Sequence, residues 1–195
     1  MSDVILIVGQ TGAGKSACGK IIADLEIPVL DADKIVGKLY KCNFNNDEFL
    51  IREFISLFGN GVVINGIINK EYIAANVFSD SKKLLSLESI IHPLVKKSII
   101  SWIDLNKHYP LVFVEATRAD LNNPYFSKIV FIKADLSLRI KRIMNRNNLS
   151  LEEATKRAST LDPFEWEAKS NYQIINNGNL EQLNTKVFEL LNQLK

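Results

Sequence analysis

The segment that most restricts this chain is Gly9-Gln10-Thr11-Gly12-Ala13-Gly14-Lys15-Ser16, a complete G-x4-G-K-S pattern with an apolar run on one side and a helical pattern on the other. Asp3 to Val8 is rich in β-branched residues and lacks polar alternation, as expected of a strand covered on both faces in a parallel sheet. After the glycines, Ala17, Ile21, Ile22 and Leu25 recur at helical spacing. A strand, a glycine loop and a helix in that order predict a phosphate cradle, because backbone N–H groups can turn inward where no side chain blocks them. The helix starting near Lys15 would aim its positive end at the same anion. Lys15 is expected to bridge β- and γ-phosphates, with the Ser16 hydroxyl on Mg²⁺ and residues Thr11, Gly12, Ala13, Gly14 and Ala17 completing the cradle.

Further strands are expected at Val29-Leu30, Leu111 to Val114, Ile129 to Ile132 and Tyr172 to Ile175, separated by helical stretches, which makes the chain an α/β protein. Between the second and third strands, residues 36–107 show helical periodicity at Phe49, Glu53, Ile55 and Phe58 and again through Leu84, Leu87, Ile90 and Ile91, with no convincing buried strand. A second insertion, residues 138–169, is rich in Arg and Lys. The 195 residues suit one domain, and 24 Lys+Arg against 22 Asp+Glu leave a net charge of +2, too balanced to indicate a nucleic-acid or membrane surface. No apolar stretch approaches the roughly 18 residues of a transmembrane helix. Two cysteines, Cys18 and Cys42, form no disulfide framework or ligand cluster, so a reducing, cytoplasmic setting is expected.

Asp31 and Asp33 directly follow the second strand, at the carboxyl edge that also bears the glycine loop. One could hold Mg²⁺ through water and the other could orient or deprotonate an attacking hydroxyl; Asp33 is the choice for the base and Asp31 for the metal. Either could instead cap the next helix. Glu115 ends a buried strand in the manner of a Walker B acid, a weak signal because charged strand ends are common. Arg139, Arg142 and Arg146 fall at i, i+3 and i+7, on one helical face. With Lys141 and Arg157 they could close over transferring phosphate, or form a solvated basic face paired with Glu152, Glu153 and Glu165. His92 in Ile90-Ile91-His92-Pro93 has no ligand partner at metal spacing and suits a structural hydrogen-bonder as well as a functional group.

The loop fixes a nucleotide class and not a reaction. A guanine-reading N-K-x-D is absent, since Asn69-Lys70-Glu71-Tyr72 lacks the Asp, and the length suits a small-molecule kinase better than a motor ATPase. The chain resembles the dephospho-CoA kinase family at Thr11 to Ser16, at Leu30-Asp31-Ala32-Asp33 with Val36 and Leu39, at Val77-Phe78, and at Leu87-Glu88-Ser89-Ile90-Ile91-His92-Pro93. The likeness continues at Arg142-Ile143-Met144-Asn145-Arg146 with Leu149-Ser150 and Glu152-Glu153-Ala154, at Arg157, and at Ile175-Asn176-Asn177-Gly178.

That resemblance implies a P-loop nucleoside triphosphate hydrolase-like three-layer fold with a five-stranded parallel sheet. The core would comprise residues 1–35, 108–137 and 170–195, with a helical CoA-binding insertion at 36–107 and a lid at 138–169. It implies Mg²⁺- and ATP-dependent phosphorylation of the ribose 3′-hydroxyl of dephospho-CoA. Asp33 would meet the acceptor hydroxyl, Arg142 would stand near the phosphates, and His92, Arg146 and Arg157 would join Asp33 at the substrate. A monomer is expected, with an oligomer left open. The chain departs from the family at Val114-Glu115-Ala116-Thr117-Arg118-Ala119, where Pro-Leu-Leu-Phe-Glu is usual, at Arg139 and Leu161, where glutamines are usual, and at Lys70, a customary arginine. A nucleoside or nucleotide kinase, and an ATP-binding regulatory module, are the alternatives.

Overall fold

The computed structural model describes residues 2–41, 48–78, 80–117, 119–120, 123–159 and 164–194. Cys42, Arg118 and Leu161 lie outside them. In chain order the elements are β1 (Asp3–Gly9), α1 (Lys15–Asp24), β2 (Val29–Asp31), α2 (Ala32–Leu39), α3 (Glu48–Phe58), β3 (Val63–Ile64), β4 (Ile67–Ile68), α4 (Lys70–Phe78) and α5 (Ser81–Leu105). There follow β5 (Leu111–Glu115), β6 (Lys128–Lys133), α6 (Leu136–Asn147), α7 (Leu151–Ala158), α8 (Phe164–Lys169), β7 (Tyr172–Ile175) and α9 (Leu180–Leu194).

The chain forms two compact units, residues 1–31 with 102–195 and residues 32–101. In the first, five strands pair in the order β2-β5-β1-β6-β7, all parallel. The continuous apolar composition of β1 is matched by its environment: Val4 to Val8 are all buried, as are Val112 to Val114 and Ile129 to Ile132. On one face Ile5, Ile7, Phe113, Val130 and Ile132 pack with Cys18 and Ile22 of α1 and with Leu183, Val187, Leu190, Leu191 and Leu194 of α9. Leu6, Val8, Val112, Val114 and Phe131 fill the opposite face and are buried too, so the sheet is the middle of three layers. The five expected strands are present. Because they are parallel, their carboxyl ends share one edge, and the register sets Asp31 beside Glu115 and Glu115 beside Ile7 there.

The second unit is built on the amphipathic spacing of α3. Leu50, Ile51, Phe54 and Phe58 are buried against Val62, Ile68, Ile73, Leu87 and Ile91. Tyr40 stacks on Phe54 at 5.8 Å, and the Lys70 ammonium lies 5.6 Å from the Tyr40 ring centre. One expectation needs correction: residues 36–107 contain a small antiparallel hairpin, β3–β4, with Ile68 buried. Its turn is Asn65-Gly66, both with positive φ (51° and 77°), the pattern that matches strand twist in a two-residue loop. Two-residue strands are too short to show periodicity. Pro93 lies within α5 and removes the hydrogen bond that residue 93 would otherwise donate to residue 89.

Candidate active site

The phosphate loop leaves β1 at Gly9 and enters α1 at Lys15, and the glycines at its bends are there for steric reasons. At Gly12 φ is +81°, and a Cβ would lie 2.7 Å from the Arg139 carbonyl oxygen; at Gly14 φ is +104°, and a Cβ would meet the Asn176 amide nitrogen at 2.3 Å. Any side chain would both strain the backbone and drive the loop off its supports. Gly14 is the N-cap of α1 and has no side chain to cap it, and the first turn holds no acidic residue. The positive end of the helix dipole therefore meets no acidic side chain of its own turn, which favours an anion.

Around this loop the fold gathers polar groups from distant parts of the sequence. Lys15 is 8% exposed and its ammonium donates to the Gly9 carbonyl at 3.0 Å, so it spans the loop. The Ser16 hydroxyl donates to Glu115 Oε1 at 2.6 Å, and Glu115 is 5% exposed at the end of β5. Beneath them, burial foremost and the Glu115 charge second push the Cys18 thiol up to about 12, leaving it protonated and unreactive at neutral pH. Asn176, buried at the end of β7, donates through Nδ2 to the Ala13 carbonyl at 2.7 Å. Arg142 reaches that carbonyl at 3.5 Å and the Gly178 carbonyl at 3.3 Å.

Of the residues singled out in the sequence, Thr11 to Ala17, Asp31 and Arg142 belong to the sheet unit and lie on or beside this edge. Asp33 stands exposed in the first turn of α2, and His92 stands exposed on α5; both belong to residues 32–101. Arg146 is exposed, its Nε donating to Asn147 Oδ1, and Arg157 is exposed on α7 near Glu153.

The single basic face expected of α6 is not formed: Arg139 is 6% exposed and points its donors at three backbone carbonyls, while Arg146 lies in solvent. Helical spacing fixes only angle, and α7 packs over the Arg139 side of α6 through Ile143, Ala154 and Ala158. Sequence alone underrates Glu115 and Asn176. A strand-terminal acid is common, and Asn176 in an Asn-Asn-Gly run reads as a turn; only the parallel register carries both to the loop.

A phosphate loop at the carboxyl edge of a three-layer parallel sheet, with a buried lysine and a serine–carboxylate pair, defines a P-loop protein of the small-molecule kinase type. A family model described as dephospho-CoA kinase matches residues 4–182, and the chain belongs to that family. A dephospho-CoA kinase of Wolinella succinogenes is 29% identical over 98% of this chain and 94% of its own length. A Thermus thermophilus structure, TT1252, superposes with a TM-score of 0.80 at 28% identity, covering 100% of this chain and 98% of the other. The dephospho-CoA kinase structure from Campylobacter jejuni shares the fold, with a TM-score of 0.70 at 23% identity over 100% and 98% of the two chains. The protein is thus an enzyme, a kinase. Among the described residues no helix is long and apolar enough to cross a membrane.

Proposed function

We propose that this kinase transfers the γ-phosphoryl group of ATP to the ribose 3′-hydroxyl of dephospho-CoA, giving coenzyme A and ADP, the last step of coenzyme A synthesis. The observation that carries the phosphoryl-donor half is the loop itself, with its glycine bends, the α1 N-terminus and Lys15 at one edge; family membership carries the acceptor. Transfer of this kind depends on positioning and charge stabilisation. Lys15 would move from Gly9 to the β- and γ-phosphates, Thr11 to Ala17 would wrap the polyphosphate, and Arg142 would neutralise charge on the transferring group. Asp33 would orient the acceptor hydroxyl and take its proton. His92, Arg146 and Arg157 would hold the acceptor.

The donor set also fits Mg²⁺, a hard cation that binds through oxygen, usually with one or two carboxylates and substrate phosphates. The Ser16 proton is committed to Glu115, so the hydroxyl keeps its lone pairs for a cation, and Asp31 is Glu115's neighbour in register. Ser16 and Asp31 would hold the ion, with Glu115 supporting them. When bound, Mg²⁺ would neutralise charge on the phosphate oxygens. Among the described residues no group of three or more His, Cys, Asp and Glu could hold a metal ion by itself.

The test is ADP release measured with dephospho-CoA, adenosine, AMP and CMP as acceptors. Turnover with dephospho-CoA well above the others is expected. Preference for a nucleoside or nucleotide would replace the acceptor assignment, and tight ATP binding without turnover on any acceptor would indicate a regulatory module.

A further inference from the structure

Among the described residues Arg139 is one of four buried polar residues in the sheet unit, and all of its hydrogen bonds run to backbone carbonyls of that unit. Its guanidinium is buried. Nε donates to the Ala134 carbonyl at 3.1 Å, where β6 gives way to α6, and Nη1 donates to the Ala158 carbonyl at 2.8 Å and to the Thr11 carbonyl at 3.4 Å. Ala158 is the last residue of α7, so its carbonyl belongs to the negative end of that helix, a favourable place for a cation. Among the described residues no carboxylate forms an ion pair with Arg139. Burial lowers its pKa, yet an arginine remains charged.

A peptide unit is planar, and its carbonyl and N–H point in opposite directions. Holding the Thr11 carbonyl against the guanidinium therefore turns the Gly12 N–H the other way. The same residue's backbone blocks the rear of Gly12, where a Cβ would come within 2.7 Å of its carbonyl oxygen. The Arg139 side chain thus holds the facing of the loop's central peptide, while its backbone leaves room at residue 12 only for glycine.

We propose that Arg139 is a positioning residue for ATP: anchored at Ala134 and Ala158, it orients the Thr11–Gly12 peptide so that its N–H serves the polyphosphate, and it sets a permanent positive charge behind the loop. A glutamine at this position could donate to carbonyls but would supply no charge. This assignment rests on ATP occupying the loop.

The test uses Arg139→Gln and Arg139→Lys, with ATP and dephospho-CoA KM measured separately and ADP affinity measured by calorimetry. Losing a charge-assisted hydrogen bond of this kind should raise the ATP KM and ADP Kd of Arg139→Gln by about tenfold to a hundredfold. The acceptor KM should be unchanged. Arg139→Lys keeps the charge on a group that cannot reach all three carbonyls and should fall between Arg139→Gln and the wild-type protein. A lowered melting temperature with ATP KM and ADP Kd unchanged would make Arg139 merely structural and overturn the proposal.

If Arg139→Gln does not fold, wild-type protein decides: its Arg139 Nε–H resonance, assigned from its own backbone, should move when ADP is titrated in, and a static resonance would overturn the proposal. Wild-type protein that neither binds ADP nor phosphorylates dephospho-CoA would instead remove the functional reading on which this one stands.

Discussion

The two units of the chain solve different packing problems. Residues 1–31 and 102–195 are organised by strands buried on both faces, and nearly every polar group drawn inside them, Lys15, Glu115, Arg139 and Asn176, stands at the phosphate loop. Residues 32–101 are organised by amphipathic helices around a single aromatic-rich cluster, with Phe49, Ile64, Ile67 and Leu85 left largely in solvent. Buried polar groups are costly unless satisfied, so their concentration at one sheet edge marks where the fold places chemistry that requires fixed dipoles. Among its described residues the helical unit buries no such polar group, and Asp33 and His92 stand exposed.

The sharpest way to break this contrast is to remove one functional group from each unit. Asp33→Asn should cut kcat by about 10²- to 10⁴-fold, the usual worth of a general base, and leave ATP affinity nearly intact. Lys15→Ala should lower kcat by about 10²- to 10³-fold as a lost charge stabiliser and weaken ATP as well. Steady-state kinetics with ADP calorimetry separates them. Equal loss of ATP affinity in both variants would dissolve the division of labour, and unchanged turnover in Asp33→Asn would remove it from the mechanism.

A smaller effect concerns the cores. Phe54 is fully buried, stacked on Tyr40 and 6.4 Å from Phe58. Phe54→Ala should cost about 3–5 kcal/mol, read as a lower denaturant midpoint. The folded fraction should bind ADP as wild type does, while its acceptor KM rises. A change in ADP affinity instead would show that the helical cluster supports the phosphate loop.

The smallest effect lies on α7. The Ser150 hydroxyl, and then its backbone N–H, hold the Glu153 carboxyl below the usual range, in a capping box with Arg157 nearby. A depressed folded-state pKa contributes stability that is present above the unfolded value of about 4.3 and is lost as pH falls through the folded value. Ser150→Ala should lower the melting temperature at neutral pH, because it removes the side-chain half of this cap. The gap in melting temperature from wild type should narrow below about pH 4. A constant gap across that range would assign the cap to the hydroxyl alone.

Much of the sheet unit is legible in the amino-acid sequence. β1, β5 and β6 are runs of apolar residues because parallel strands have no solvated face, and the glycine-lysine-serine segment is short enough that its whole requirement lies in eight adjacent residues. The helical unit is readable only in its longer helices. The β3–β4 hairpin escapes a search for periodicity because two-residue strands carry no period, although its Asn65-Gly66 turn is a local signal that can find it. On α6, helical spacing places Arg139, Arg142 and Arg146 on one face, but their different burial depends on what α7 covers.

By itself, then, the sequence determined the phosphate loop, the α/β class, the five strands of the parallel sheet and the family's motifs, since each follows from local spacing and from which residues tolerate burial. Only the tertiary structure decided which polar groups serve the loop. Ser16 and Glu115 are 99 residues apart, Thr11 and Arg139 128, and Ala13 and Asn176 163. Contacts at such separations are set by strand order and register, which no local pattern encodes.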